Sequence, residues 1–71
     1  MNKKYDTRHG GPFDRGSADS YYNRSKSPHF YVNGTATSRR IEKDDMSLEE
    51  VEAYYAGYEE NELHGDKKEW N

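Results

Sequence analysis

The residues best suited to chemistry lie in a glycine-rich stretch, GGPFDRGSADSYYNR, which spans residues 10–24. Arg15, Ser17 and Arg24 could bind an anion there, because Ser17 has the side chain of a helix N-cap and helix N-termini attract negative charge. The glycines lack the spacing of a phosphate-binding loop, and no Lys-Ser or Lys-Thr pair follows them. We therefore expect a tight turn and a short helix from Ser17 to about Tyr22, with anion binding as the functional alternative.

Other side chains that could support catalysis or metal binding are scattered along the chain. The histidines, His9, His29 and His64, do not have the spacing of a known ligand motif, and the sequence contains no cysteine. Most carboxylates fall in the C-terminal half, in a pattern typical of a solvated helix face. We predict no catalytic residue, no metal site and no cofactor, so the sequence favours a non-enzymatic protein.

Charge divides the chain into two unlike halves. Residues 1–40 carry eight Lys or Arg against three Asp, whereas residues 41–71 carry three Lys against eleven Asp or Glu. The halves can attract each other during folding, or they can present one basic and one acidic face to partners. Because the sequence shows neither a membrane-spanning stretch nor an apolar leader segment, we expect a soluble, cytoplasmic protein.

The strongest structural pattern predicts a helix over about residues 47–64. Ser47 and Glu50 have the spacing of a capping box, and Gly65 is a typical residue at a helix C-terminus. Gly57 interrupts the helix interior, where glycine costs about 1 kcal/mol relative to alanine. It therefore predicts that another segment, with residues 10–24 as the expected one, packs closely across it.

The faces of this helix follow from its periodicity. Apolar residues recur in steps of three and four and predict one buried stripe, formed by Leu48, Val51, Tyr55 and Tyr58 beside Tyr54. The opposite face is expected to carry Glu49, Glu52, Glu59, Glu60 and Asn61. The helix therefore predicts an acidic outer surface next to clustered tyrosines.

A β-hairpin over about residues 29–41 is the other predicted element. Asn33-Gly34 lies between two β-prone runs and is the strongest signal for a two-residue type I′ turn. The 71 residues suffice for one small domain, in which seven Leu, Ile, Val or Phe side chains must be supplemented by seven tyrosines. We predict an α+β fold: a flexible arm over residues 1–9, then a domain over residues 10–71 with the hairpin, the long helix and a short N-terminal helix or turn.

Three pieces of the sequence resemble a group of short, uncharacterised proteins carried by tailed bacteriophages. These pieces are GGPFDRGSADSYYNR from residue 10, PHF from residue 28, and AYYAGYEENELHGDKKEW, which ends at Trp70. The resemblance covers most of the chain from Gly10 onward. It implies a phage-type origin and action in the cytoplasm of a bacterial host, and it assigns no catalytic residue.

These observations favour a small, non-enzymatic module that binds a protein and modulates a bacterial host factor. Aromatic anchors dominate the binding energy of interfaces, and a carboxylate-rich helix fits a basic partner. The predicted contact residues are Tyr54, Tyr58, Glu59, Glu60, Glu62 and Trp70. Two alternatives stay open: the basic, tyrosine-containing half binds single-stranded nucleic acid, which the acidic half disfavours, or the chain self-associates as a homo-oligomer.

Overall fold

The computed structural model describes residues 9–33 and 38–65. In chain order they form helix α1, strand β1, strand β2, a 3-10 turn and helix α2, with the bounds Pro12–Tyr21, His29–Tyr31, Arg40–Glu42, Lys43–Asp45 and Leu48–His64. The strands are antiparallel neighbours, so the predicted small α+β class is confirmed. Neither described helix has the length and apolar character that crossing a bilayer requires. The predicted arm, apart from His9, and Trp70 lie outside the described residues.

Helix α2 begins and ends where its local signals predict. The Ser47 hydroxyl accepts from the Glu50 amide at 3.1 Å, and the Glu50 carboxylate accepts from the Ser47 amide at 2.8 Å. This capping box satisfies donors that the first turn would otherwise leave unpaired. At the other end Gly65 adopts a left-handed conformation with φ of 74°, which glycine reaches without steric cost.

Helix α1 begins earlier than the sequence pattern predicts. Pro12 occupies its first turn, where the missing amide hydrogen costs nothing because that position has no partner within the helix. The Asp14 carboxylate accepts from the Gly10 amide at 2.8 Å and fixes the entry of the chain. Ser17 consequently lies inside the helix, so its predicted role as an N-cap is wrong.

A Schellman motif ends α1 and turns the chain towards β1. Asn23 has a positive φ of 60°, its amide bonds to the Ser20 carbonyl at 3.0 Å, and the Arg24 amide bonds to the Asp19 carbonyl at 2.8 Å. Asparagine tolerates this left-handed conformation better than most residues. The motif therefore holds Arg24 against the last turn of α1.

The hairpin has a different register from the predicted one. Phe30 pairs with Ile41, which excludes the two-residue turn predicted at residues 33–34. Such a turn would have placed Thr37 opposite Phe30. The observed register gives Phe30, which is 9% exposed, an apolar cross-strand neighbour. The contact between buried Phe30 and half-buried Ile41 outweighs the local preference of Asn-Gly for a tight turn.

The two helices cross in direct backbone contact at two glycines. A Cβ atom on Gly16 would lie 1.9 Å from the Tyr54 carbonyl oxygen, and one on Gly57 would lie 2.1 Å from the Phe13 carbonyl oxygen. Only glycine fits at either position, because real Cβ atoms essentially never come within 3.0 Å of such neighbours. The prediction that residues 10–24 pack across Gly57 is therefore confirmed.

The buried stripe of α2 is rotated from the predicted one. Its buried members are Ala53, Tyr54 and Gly57. Leu48, by contrast, is 76% exposed and lies outside the core. The stripe contains small residues because the helix backbones touch there, and small residues give little hydrophobic signal. The hydrophobic pattern alone therefore placed the inner face incorrectly.

Candidate functional site: a buried polar network beside an arginine-lined groove

A hydrogen-bonded network centred on Tyr54 connects both helices to the linker that precedes β1. The Tyr54 hydroxyl donates to the Asp19 carboxylate of α1 and accepts from the Ser27 amide at 2.9 Å. Asp19 is 5% exposed and Tyr54 is 0% exposed, so these polar groups are stable only because they are paired. Since no part of Tyr54 reaches the surface, its predicted role as a partner-contact residue is wrong.

Burial keeps the Tyr54 hydroxyl protonated. It raises the pKa of Tyr54 well above the ordinary phenol value of 10.0, and the hydrogen bond to the Asp19 carboxylate raises this pKa further. The neutral phenol can donate a hydrogen bond, whereas a phenolate would face the carboxylate as a like charge. The pair therefore suits a structural link better than acid–base chemistry near neutral pH.

His29 extends the network into β1. Its Nδ1 lies 2.8 Å from the Ser27 carbonyl oxygen and 3.9 Å from the Asp19 carboxylate, so Nδ1 carries a hydrogen and donates to the carbonyl. The residue is 5% exposed, and its ring packs edge-on against Tyr31 with centroids 5.7 Å apart. His29 is thus a paired core histidine that also lines a neighbouring groove.

A second polar link joins the C-terminal turns of the two helices. The Ser20 hydroxyl donates to the Glu62 carboxylate at 2.6 Å and accepts from the Asn61 side-chain amide at 3.0 Å. Ser20 is 0% exposed. Glu62, predicted as a partner contact, is therefore engaged with α1, and the placement of Asn61 on the solvent face is wrong.

Tyr58 and Glu59, two more of the predicted contact residues, hold the linker between α1 and β1. The Tyr58 hydroxyl donates to the Arg24 carbonyl oxygen, and the Lys26 ammonium lies 5.3 Å from the centre of the Tyr58 ring. Lys26 also pairs with Glu59 at 3.4 Å. Glu60 is exposed on α2. Tyr58 therefore stabilises the fold, whereas Glu59, whose ion pair with Lys26 is exposed and contributes little, and Glu60 both lie on the outer face of α2.

A groove of about 320 Å³ opens beside the network. Three arginines from separate parts of the chain line it: Arg15 from α1, Arg24 from the linker and Arg40 from β2. Asp19, His29 and Tyr31 are also among its lining residues. Two of the three predicted anion ligands, Arg15 and Arg24, thus lie in one groove, but Ser17 does not line it. Sequence reasoning missed Arg40 because only strand pairing brings it there.

Each groove arginine has a carboxylate partner close to one edge of its guanidinium group. The nitrogen–oxygen distances are 3.1 Å for Arg15 and Asp14, 3.6 Å for Arg24 and Asp19, and 2.6 Å for Arg40 and Glu42. The hydrogen bond that the Arg40 Nε donates to the Glu42 carboxylate is the main cause of a raised pKa at Arg40. Because a guanidinium group has several N–H donors, a partner on one edge leaves others to face the groove.

Cations cover tyrosine rings around the groove. The Arg15 guanidinium lies 5.9 Å from the centre of the Tyr31 ring, and that of Arg24 lies 5.0 Å from the centre of the Tyr22 ring. Nucleic-acid bases stack on open aromatic faces. The arrangement therefore adds no support to the alternative of single-stranded nucleic-acid binding, which stays a prediction.

No protein-family model, curated protein or solved structure matches the chain. The resemblance to phage proteins therefore stays a prediction, and function must be inferred from the geometry of the molecule. Within residues 9–33 and 38–65, no three or more His, Asp or Glu side chains are grouped so that they could hold a metal ion. Among the surfaces that the described residues offer are the arginine-lined groove and the outer face of α2.

Proposed function

We propose that the protein is a non-enzymatic interaction module that binds a basic surface of another protein through the outward stripe of α2. This stripe consists of residues separated by steps of three and four along the helix: Leu48, Glu52, Tyr55, Glu59 and Leu63. Leu48 is 76% exposed and Leu63 is 85% exposed, which is the observation that supports the proposal most directly. An amphipathic helix of this kind offers apolar anchors with carboxylates between them.

The exposed leucines would supply the affinity. Full burial of a leucine side chain is worth about 1.5–3 kcal/mol. Leu48 and Leu63 lie about 22 Å apart along the helix axis, at about 1.5 Å per residue. The glutamates between them would add orientation and association rate more than affinity. We therefore expect a partner with two apolar pockets about one helix length apart on a positively charged surface.

The internal contacts prepare α2 for such binding. The capping box, the close crossing at Gly57 and the hydrogen bonds of Tyr54 hold the helix in place. A preorganised surface loses less conformational entropy on binding. The resemblance to phage proteins supports a bacterial host protein as the partner, with binding in the host cytoplasm that modulates its activity.

Affinity capture from a bacterial lysate, mass spectrometry of the captured protein and direct binding to that purified protein test the proposal. Leu63→Ser should weaken binding because it removes an anchor, and Glu60→Lys should weaken it by reversing a charge beside the stripe. Val32→Ser also removes an exposed apolar group, from a hairpin residue that is 44% exposed, and should leave binding unchanged. The proposal fails if nothing basic is captured or if Val32→Ser weakens binding as much as Leu63→Ser.

Self-association, the alternative function, would bring the outward stripes of two copies of the chain together. Two copies of an acidic stripe repel each other, so a second copy of the chain fits it less well than a basic partner does. Light scattering tests this point directly. A dimer that Leu63→Ser converts to a monomer would replace the proposed function with the self-association alternative.

A further inference from the structure

We infer a second binding site: the arginine-lined groove binds the dianionic phosphate group of a phosphate monoester. Arg15, Arg24 and Arg40 line this groove, which has a volume of about 320 Å³. It shares no lining residue with the outward stripe of α2. The inference is therefore independent of the proposed protein binding, and either can fail alone.

The positions of the three groove arginines on separate elements suit a tetrahedral anion. A phosphate monoester carries a charge of about −1.5 to −2 near neutral pH and has three strong acceptor oxygens. The guanidinium group presents a rigid fork of N–H donors that matches phosphate. Because the three groove arginines come from α1, the linker and β2, they can reach such a group from different sides. A planar carboxylate, with only two oxygens, would use fewer of these donors.

Arg15 has a donor that the described chain does not use. Its Nε is buried and has no hydrogen-bond partner among residues 9–33 and 38–65. Leaving a buried donor of a charged group unpaired is costly. The Nη2 of Arg15 is held by Asp14 at 3.1 Å, and the side chain is 23% exposed towards solvent. A shift of this side chain that brings Nε within reach of a phosphate oxygen in the groove would give this donor a partner.

Asp19 lines the groove with a charge that opposes an anion, but this charge is already engaged. Tyr54 donates to one of its oxygens, and the Arg24 guanidinium lies 3.6 Å from the other. The Asp19 side chain is 6% exposed, so little of the carboxylate faces the opening. The carboxylates that pair with Arg15 and Arg40 are not among the lining residues. Among the lining residues three guanidinium groups stand against one engaged carboxylate, while Asp14 and Glu42 offset the charges of Arg15 and Arg40 from outside the groove.

The dimensions of the groove limit the ligand to a small phosphate compound. Its volume of about 320 Å³ is near the lower end of typical ligand pockets. The rings of His29 and Tyr31 form part of its wall, and the Tyr31 ring also packs against His29 and lies beneath the Arg15 guanidinium. A phosphodiester of a nucleic-acid strand has one charge and fewer free oxygens, so it should bind more weakly than a monoester.

Titration of the ¹⁵N-labelled full chain with phenyl phosphate, followed by amide chemical shifts, tests the inference. We expect saturable shifts confined to the groove, around Arg15 and Tyr31, and the same pattern with inorganic phosphate. Arg40→Gln should weaken the affinity about tenfold, the loss expected for one charge-assisted hydrogen bond. Arg39→Gln removes the same charge from the adjacent exposed residue, which does not line the groove, and should leave the affinity unchanged.

Three results would overturn the inference. Shifts that do not saturate, or equal weakening by Arg39→Gln and Arg40→Gln, would show only general attraction between charges. Tighter binding of a short single-stranded oligonucleotide than of phenyl phosphate, at equal ionic strength, would favour the nucleic-acid alternative instead. The Arg40 side chain is 41% exposed, so its replacement should preserve the fold, and the amide spectrum of the variant checks this. Leu63→Ser, which tests the stripe of α2, should bind phenyl phosphate like the unmodified chain.

Discussion

The hydroxyl of Tyr54 joins α1, α2 and the linker before β1 through two hydrogen bonds. Tyr54→Phe keeps the ring but removes a hydrogen-bond partner from both the Asp19 carboxylate and the Ser27 amide. We expect the free energy of unfolding to fall by about 2–3 kcal/mol, because buried polar groups lose their partner. Urea denaturation followed by circular dichroism measures this change. Tyr21→Phe, on a ring that is 38% exposed, is the control and should change it by less than about 0.5 kcal/mol.

The raised pKa of Tyr54 predicts how the free energy of unfolding changes at alkaline pH. The ordinary phenol pKa of 10.0 applies to Tyr54 in the unfolded chain, whereas burial raises this pKa in the folded chain. Above about pH 10 the unfolded chain binds fewer protons than the folded chain, so the free energy of unfolding should fall as the pH rises. Tyr54→Phe should make this fall shallower. If the free energy of unfolding falls equally steeply with pH for Tyr54→Phe and for the unmodified chain, the Tyr54 hydroxyl is not buried.

At the scale of the elements, the helix crossing depends on glycine. In an ordinary helix interior, replacing glycine with alanine stabilises by about 1 kcal/mol. In Gly57→Ala the new Cβ would meet the Phe13 carbonyl oxygen at 2.1 Å, so the helices must separate. We expect a loss of about 3 kcal/mol in the free energy of unfolding, visible as a lower thermal midpoint.

Whether Gly57→Ala lowers or raises the thermal midpoint decides whether the helices touch at Gly57. Gly57→Ala with a higher thermal midpoint would contradict the crossing. The neighbouring replacement Ala56→Gly is the control, since it should cost only the usual glycine penalty of about 1 kcal/mol.

The elements also show why some bounds could be predicted and others could not. The signals that define α2, a capping box and Gly65, lie within or beside the helix itself, so its bounds were predictable. The hairpin register depends on Phe30 meeting Ile41, a contact between residues distant in sequence. The strong local signal of the Asn-Gly pair could not reveal that contact.

At the scale of the whole molecule, close backbone packing and polar links replace much of the usual aliphatic core. The composition predicted that tyrosines would supplement the few aliphatic side chains, and the buried Tyr54 agrees with this. The burial of its partner Asp19 was not predictable, because a carboxylate on a short helix is usually exposed, and only the packing of the second helix buries this one. Arg40 joins Arg15 and Arg24 only after the strands pair, so the full groove was equally hidden in the sequence.

The central claim is that this short chain holds a fixed shape because its two helices touch through Gly16 and Gly57. Two-dimensional nuclear Overhauser spectroscopy of the full chain tests it most directly. We predict dispersed amide signals and cross-peaks from the Hα atoms of Gly57 to Phe13, since a Cβ on Gly57 would lie 3.2 Å from the Phe13 Cα. Collapsed amide dispersion, or dispersed signals without any contact between these two residues, would contradict the claim.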